Sequence, residues 1–234
     1  MKVLILNGSP KVGRSNTLNI TKAFVSGFPS DTEVELVDIY KSDIKPCLGC
    51  FSCWSKTPGE CVIKDDMQEI YKKIEASDVI IESFPLYFFG MPSGVKAMTD
   101  RCLPFMLPYM GNMASGSASF HELRNEAMHE KRLVVISTCG YVETEPMFPA
   151  LLKQYDLICG EGGYTPIICP EGELFIAEKA KRQREGYLSD IKNAGAEFSQ
   201  NLSLSDETMK KISVPMLSPK GFEAITLAHW QQNN

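Results

Sequence analysis

Met1-Lys2-Val3-Leu4-Ile5-Leu6-Asn7-Gly8-Ser9-Pro10, continued by Lys11-Val12-Gly13-Arg14-Ser15-Asn16-Thr17, is the stretch that decides the fold class. Val3 to Leu6 is apolar without alternation, the mark of a strand buried on both faces. Asn7-Gly8-Ser9-Pro10 ends it. Asn16 is placed to cap a helix running to about Phe28, with Leu18, Thr21, Val25 and Phe28 at helical spacing on its apolar side. A loop that joins a strand to a helix N-terminus exposes backbone N–H groups with no partner in the helix, and such a loop holds a phosphate group well. Ser9, Ser15, Asn16 and Thr17 can add side-chain hydrogen bonds, Gly8 and Gly13 let the backbone turn tightly, and Arg14 can bring charge to the rim. The loop lacks the Gly-Lys-Ser/Thr ending of a Walker loop and is not the dinucleotide fingerprint. An ordinary strand-to-helix turn has the same local signature.

Outward from this unit the pattern repeats. Val34, Leu36 and Val37 read as a second strand, and Asp65-Asp66 open a helix whose apolar face is Met67, Ile70, Tyr71 and Ile74. Val79-Ile80-Ile81 is a buried strand ending near Ser83, and Pro92 starts a helix to about Cys102. Leu133 to Ile136 is the fourth strand, followed by a helix marked by Met147, Phe148, Leu151, Leu152 and Tyr155, and Ile167-Ile168 lies in a fifth strand. Alternating strands and helices imply right-handed crossovers and a mainly parallel sheet covered on both faces. A barrel needs eight such units. Five strands predict an open, doubly wound α/β sheet, with ligands at the carboxyl ends of its strands.

Composition bounds the rest. The chain has 234 residues, a formal net charge of -5 and 44% hydrophobic residues, enough for a full core. No apolar stretch reaches the roughly 18 residues of a membrane helix, and the N-terminus has the wrong length and flanks for a secretory signal. Mild acidity argues against a duplex nucleic-acid partner. A soluble, cytoplasmic protein is expected, in which eight cysteines are thiols or ligands rather than a disulfide framework. Residues 103–131 form a long link, expected to be a lid, an interface arm or a surface loop. From about Phe175 a long helix to Ser199 and shorter helices follow, in which Phe222, Ile225 and Trp230 need to pack on the body or another subunit. The organisation is therefore a body over residues 1–175 and a helical tail over 176–234.

Two more loops follow buried strands. One is Ser83-Phe84-Pro85-Leu86-Tyr87-Phe88-Phe89-Gly90-Met91-Pro92, with Lys96 and Asp100-Arg101 beyond it. The other is Ser137-Thr138-Cys139-Gly140. Both emerge at the same sheet edge as the first loop. Together the three stretches resemble the NADPH-dependent FMN reductase family of flavodoxin-like proteins, closest to its iron–sulfur flavoprotein branch and that branch's cluster-free relatives, over Met1 to about Ile168. The resemblance implies strand order 2-1-3-4-5 and FMN as cofactor. It places Ser9, Ser15, Asn16 and Thr17 at the phosphate, and Pro85, Leu86, Tyr87, Phe88, Phe89 and Gly90 along the ribityl chain and ring. Thr138, Cys139 and Gly140 then fall at the ring's outer edge. A mostly apolar slot from Leu86, Tyr87 and Phe88 suits a flavin, although such aromatics also serve as plain core. Lys96, Asp100 and Arg101 are assigned to helix structure or an interface, since an Asp-Arg pair has many surface uses.

Cys47, Cys50, Cys53 and Cys61 are spaced C-x2-C-x2-C-x7-C. Four thiolates in so short a span can ligate a [4Fe–4S] cluster or zinc. The arrangement resembles the cluster motif of iron–sulfur flavoproteins, while the longer string Pro46 to Trp54 with Pro58-Gly59-Glu60-Cys61 also resembles cluster-free flavin reductases, whose cysteines are free or redox-active thiols. Both readings stay open. Cys102, Cys159 and Cys169 read as core, as does Cys139 apart from its place in a flavin loop. His121, His129 and His229 lack a metal-ligand spacing and read as surface or interface groups, and no Ser-His-Asp arrangement is visible. The expected activity is ping-pong transfer from NAD(P)H through FMN to a quinone, flavin or other acceptor, in a homodimer or higher homo-oligomer. An electron carrier fed by a protein donor and a non-catalytic partner-binding protein are the alternatives.

Overall fold

The computed structural model describes residues 1–110 and 121–232. Five strands form one parallel sheet: β1 (Lys2–Asn7), β2 (Glu33–Asp38), β3 (Val79–Pro85), β6 (Arg132–Thr138) and β7 (Thr165–Cys169), in the order β2-β1-β3-β6-β7. Two shorter strands, β4 (Met106–Met110) and β5 (His121–Leu123), pair antiparallel outside it. Among the sheet strands alone the order is 2-1-3-4-5, the doubly wound flavodoxin-like fold expected above.

Side-chain alternation divides the core in two. Val3, Ile5, Ile81, Val134, Ile136 and Ile167 face α1 (Asn16–Val25) and α5 (Lys181–Asn201). Leu4, Leu6, Ile80 and Val135 face α2 (Met67–Ala76), α3 (Ser93–Asp100) and α4 (Pro149–Cys159). Burial on both faces explains the unbroken apolar runs. The edge strand β2 differs: Val34 and Leu36 are 46% and 41% exposed.

α5 covers the sheet rather than standing apart from it. Phe198 packs its ring 5.6 Å from Phe24 and 6.1 Å from Phe28. The helices approach so closely that a Cβ on Gly195 would lie 1.8 Å from the Phe24 carbonyl oxygen. α6 (Asp206–Ile212) and α7 (Pro219–Gln232) continue the tail, and Phe222 is buried against Leu174 and Ala180. Ile225 is half-buried in the same cluster. The Trp230 and His229 side chains lie outside the described set. No helix among the described residues is long and apolar enough to cross a membrane.

Three local expectations need correction. Ser15, not Asn16, caps α1: its Oγ accepts the Leu18 N–H at 3.1 Å. That frees the Asn16 side chain to donate to the Gly172 carbonyl at 2.8 Å. The tight turn before α1 is made by Val12 at φ 51, not by a glycine. Gly8 is needed instead for space, since a Cβ there would lie 2.1 Å from Val95 Cγ2. The link over 103–131 is not a simple loop, because β4 and β5 pair within it. Its residues 111–120 lie outside the described set.

Candidate functional site

The carboxyl ends of β1, β3, β6 and β7 surround one cleft of about 160 Å³. Ser9, Ser15, Asn16 and Thr17 line it from the first loop. Pro85, Leu86 and Tyr87 line it from the second, and Thr138, Cys139 and Gly140 from the third. This convergence follows from topology: in a parallel sheet the loops after neighbouring strands leave from the same edge. The cleft walls are tied together. Thr17 Oγ1 and Thr138 Oγ1 share a hydrogen bond of 2.8 Å, and the Leu86 N–H donates to the Thr138 carbonyl at 2.7 Å.

The first wall is polar. Ser9 Oγ accepts the Lys11 N–H at 3.3 Å, which curls the loop toward the helix. The Asn16 and Thr17 amides open the first turn of α1, where helix geometry provides no acceptor. Lys11 stands on the same wall, so this end combines unpaired N–H donors with a cationic side chain. Leu86 and Tyr87 make the neighbouring wall more apolar. Cys139 is 5% exposed, and burial pushes its thiol pKa up, so it faces the cleft as a neutral group. Its amide donates to the Cys169 carbonyl at 3.2 Å.

Phe88, Phe89 and Gly90 do not line the cleft. The Tyr87 and Gly90 backbones exchange hydrogen bonds of 2.9 and 3.0 Å, closing a two-residue turn with Phe88 at φ 48 and Phe89 at φ 63. Left-handed backbone at two consecutive phenylalanines is costly. It projects Phe88 into solvent, fully exposed, and leaves Phe89 about half exposed.

Sequence reading missed the loop after β7. Gly172 and Glu173 line the cleft, and Glu171 beneath them is fully buried at φ 55. The Glu171 carboxylate accepts the Met216 N–H at 2.5 Å and the Leu217 N–H at 3.2 Å. Its own N–H donates to the Tyr141 carbonyl at 2.9 Å. One residue therefore joins the cleft to the C-terminal tail. Burial pushes the carboxyl pKa up, partly opposed by the two amides. The position after the fifth strand was the available signal, but Pro170-Glu171-Gly172 matches no motif.

A second recess lies in the cysteine loop. Cys47, Cys50, Cys53 and Cys61 all line one cavity of about 20 Å³. Cys47 and Cys50 are exposed and Cys53 is buried. A hydrogen bond from Ser52 lowers the Cys50 pKa; burial, then the nearby Cys61, raises that of Cys53. Among the described residues no three cysteine, histidine or acidic side chains stand at metal-ligating distance from a common point. Arg101 and Asp65 anchor the loop. Both side chains are 0% exposed and joined at 2.7 Å, and Arg101 also donates to the Lys45 carbonyl at 2.8 Å. Burial opposes the Asp65 charge, but hydrogen bonds from Arg101, Lys45 and Met67 outweigh it and hold the pKa below the ordinary carboxylate value. Arg101 is thus no surface residue. Lys96 instead pairs with Asp100 on the exposed face of α3.

The other side of the loop is held by the link. Trp54 Nε1 donates to the Met106 carbonyl at 2.9 Å, and His121 packs on the Trp54 ring at 5.0 Å while its Nδ1 meets the Leu107 carbonyl. Arg124 donates to the Cys53 carbonyl at 3.4 Å. His121 is thus a packing group of the hairpin, and His129 stays exposed. Cys169 and Cys139 are buried as expected, whereas Cys102 and Cys159 are only half-buried, with burial pushing both thiols up to about 12.

Comparison with known proteins agrees with this geometry. The chain is 32% identical over 126 residues to an iron–sulfur flavoprotein of Methanocaldococcus jannaschii, a match covering 53% of this chain and 64% of that protein. Against other iron–sulfur flavoproteins the match spans about half of their length. The fold is shared with an NAD(P)H:quinone oxidoreductase from Methanothermobacter marburgensis, at TM-score 0.61 and 18% identity over 85% of this chain and 96% of that one. It is also shared with an FMN-dependent NADH-azoreductase from Bacillus anthracis, at TM-score 0.58 and 15% identity over 85% and 100%. The sequence profile described as NADPH-dependent FMN reductase matches residues 1–143, which include the first three cleft walls and the cysteine loop, and on that match the chain belongs to the NADPH-dependent FMN reductase family.

Proposed function

We propose that this chain binds FMN in the cleft at the sheet edge and passes reducing equivalents from NAD(P)H to a quinone, a flavin or another electron acceptor. One observation carries the reading: an anion-binding helix start, a more apolar wall and a third, polar wall meet in a single cleft. The residues fit the group. Ser9, Ser15, Asn16 and Thr17, with Lys11, would hold the phosphate. Pro85, Leu86 and Tyr87 would flank the ribityl chain and ring, and Thr138, Cys139 and Gly140 would meet the ring's outer edge. Phe88, Phe89 and Gly90 would form a rim beside an incoming nicotinamide or acceptor. When bound, FMN supplies hydride exchange at its N5, so no side chain is needed as a nucleophile. Residues 1–175 carry these walls, and 176–234 brace them through Glu171.

Anaerobic mixing of FMN-loaded protein with NADH and with NADPH tests the activity. Flavin absorbance is expected to bleach with at least one of them, faster than free FMN does, and to return when a quinone is added. Bleaching only by a reduced protein donor would move the assignment to an electron carrier. No redox change with any donor would leave a non-catalytic binding protein.

A second reading is supported by the cysteine cavity. Four cysteines lining one cavity are a donor set of the right chemistry for a thiophilic group, and Cys47, Cys50, Cys53 and Cys61 would hold a [4Fe–4S] cluster. The exposed part of the loop, with Gly49 at φ 61 and Phe51 at φ 51, would have to draw its sulfurs together. When bound, a cluster supplies one-electron transfer to complement the flavin. Roughly four irons and four sulfides per chain after anaerobic purification are expected, and consistent absence of both would reject the cluster and leave free thiols.

The proposal includes a homodimer in the cytoplasm. Exposed Val34 and Leu36 on the edge strand and the exposed Phe88 turn offer apolar surface for a closed two-fold contact. All eight cysteines are unpaired, which suits a reducing compartment. Sedimentation of the FMN-loaded protein as a monomer at micromolar concentration would contradict the dimer.

A further inference from the structure

We infer that Asn7 is a positioning residue that gives the cleft its preference for a phosphorylated over an unphosphorylated flavin, by holding the backbone of the loop that would receive the phosphate. This deepens the FMN reading above and rests on it. Asn7 is fully buried at the end of β1 and does not itself line the cleft. Its amide nitrogen donates to Asp38 Oδ1 at 2.6 Å and to the Val12 carbonyl at 3.3 Å, and its Oδ1 accepts the Ser9 N–H at 3.4 Å. Chemistry fixes that orientation. Turning the amide over would set its oxygen against a carboxylate and a carbonyl, and its nitrogen against an N–H. The position needs two donors and an acceptor on one short side chain, and asparagine supplies them.

Val12 is the residue through which Asn7 acts. It is β-branched and sits at φ 51, a conformation that persists only where neighbours enforce it. Its N–H donates to the Ser9 carbonyl at 2.9 Å, and its carbonyl accepts the Ser15 N–H at 3.1 Å beside the Asn7 bond. The turn brings Ser9 and Lys11 before it, and Ser15, Asn16 and Thr17 after it, onto one wall. Asp38, the register partner of Asn7 on β2, anchors the amide from the other side and pairs with Lys41 at 3.2 Å. Without Asn7, the Val12 carbonyl loses one of its two donors and the Ser9 N–H loses its acceptor, so the turn relaxes and the donors on that wall spread. The walls after β3 and β6, where the ring would lie, take no bond from the Asn7 side chain.

The test titrates the full-length apoprotein and its variants with FMN and with riboflavin, and follows stability by denaturant titration. In Asn7→Ala the preference for FMN should fall by about tenfold, because FMN weakens while riboflavin does not. Asp38→Ala breaks the same 2.6 Å bond and should also lose stability, yet keep the preference, since Val12 and Ser9 stay tied to Asn7. Glycine takes positive φ without being held there, so Val12→Gly alone should keep the preference and Asn7→Ala/Val12→Gly should regain what Asn7→Ala loses. The inference is overturned by any of four results: Asn7→Ala keeps the preference, Asn7→Ala weakens both flavins equally, Asp38→Ala loses as much preference as Asn7→Ala, or Val12→Gly brings no recovery. If wild-type protein binds neither flavin, or binds both equally, the FMN reading fails and this inference with it. If Asn7→Ala does not fold, Asn7→Ser replaces it, with the same loss expected, because one hydroxyl cannot donate to both Asp38 and Val12.

Discussion

Gly8 sits where β1 turns toward the cleft, with Val95 of α3 against it. A Cβ would meet Val95 Cγ2 at 2.1 Å and Phe84 Cβ at 3.1 Å. Gly8→Ala is therefore expected to lose about 1–3 kcal/mol of stability, as overpacked cores do, and to weaken FMN binding by shifting Ser9. Denaturant titration and fluorescence titration check the two effects, and unchanged values in both would refute the packing argument. Glu171 gives a pH signature. Its folded pKa lies above the unfolded one because burial disfavours the charge, so the native state binds more protons. Stability from this group is full below the unfolded carboxyl pKa and is lost as pH rises through the folded value. Glu171→Gln removes that ionisation, so its stability relative to wild type should improve from acid to neutral pH. A constant difference in denaturation free energy across that range would contradict it. Residue identity was readable where chemistry is local, as for Ser9, Ser15 and Thr17. It failed at Arg101, because nothing in an Asp-Arg dipeptide says that its partner, Asp65, lies thirty-six positions earlier.

At the scale of elements, apolar runs and helical spacing located all five sheet strands and the helices between them. Such signals depend on burial, which is strong for β1, β3 and β6. The β4–β5 hairpin escaped because its strands are short and pair across the 111–120 segment. Within β3, which was located, Glu82 puts a carboxyl inside a buried strand, and α4 brings the Tyr155 hydroxyl to donate to it. Burial pushes the Glu82 carboxyl pKa up. The α1–α5 contact makes a prediction of unusual sign. Gly→Ala in a helix ordinarily stabilises by about 1 kcal/mol. Gly195→Ala should instead destabilise, by about 1–3 kcal/mol, because the clash at 1.8 Å is with the rigid backbone of Phe24. Denaturant midpoints will show the sign, and a gain in stability would mean that the helices do not pack this closely.

At the scale of the molecule, most of the backbone strain lies around the cleft. Among the described residues Val12, Phe88, Phe89 and Glu171 adopt positive φ in the loops around the cleft, Phe51 does so in the cysteine loop, and Leu202 does so away from both, where it ends α5. Strain of this kind, of the order of 1–3 kcal/mol per residue, persists only where surrounding structure enforces it. The edge itself was predictable from the strand order, since parallel strands deliver their loops together. The brace through Glu171 was not, since it joins residues 171 and 216 with no local pattern. Flavin binding in this cleft depends on its anion end, and parallel titration of the apoprotein with FMN and riboflavin tests that dependence most directly. FMN should saturate one site per chain and bind at least about tenfold, or 1.4 kcal/mol, more tightly than riboflavin, which lacks the phosphate. FMN that fails to bind, or binds no more tightly than riboflavin, would contradict it.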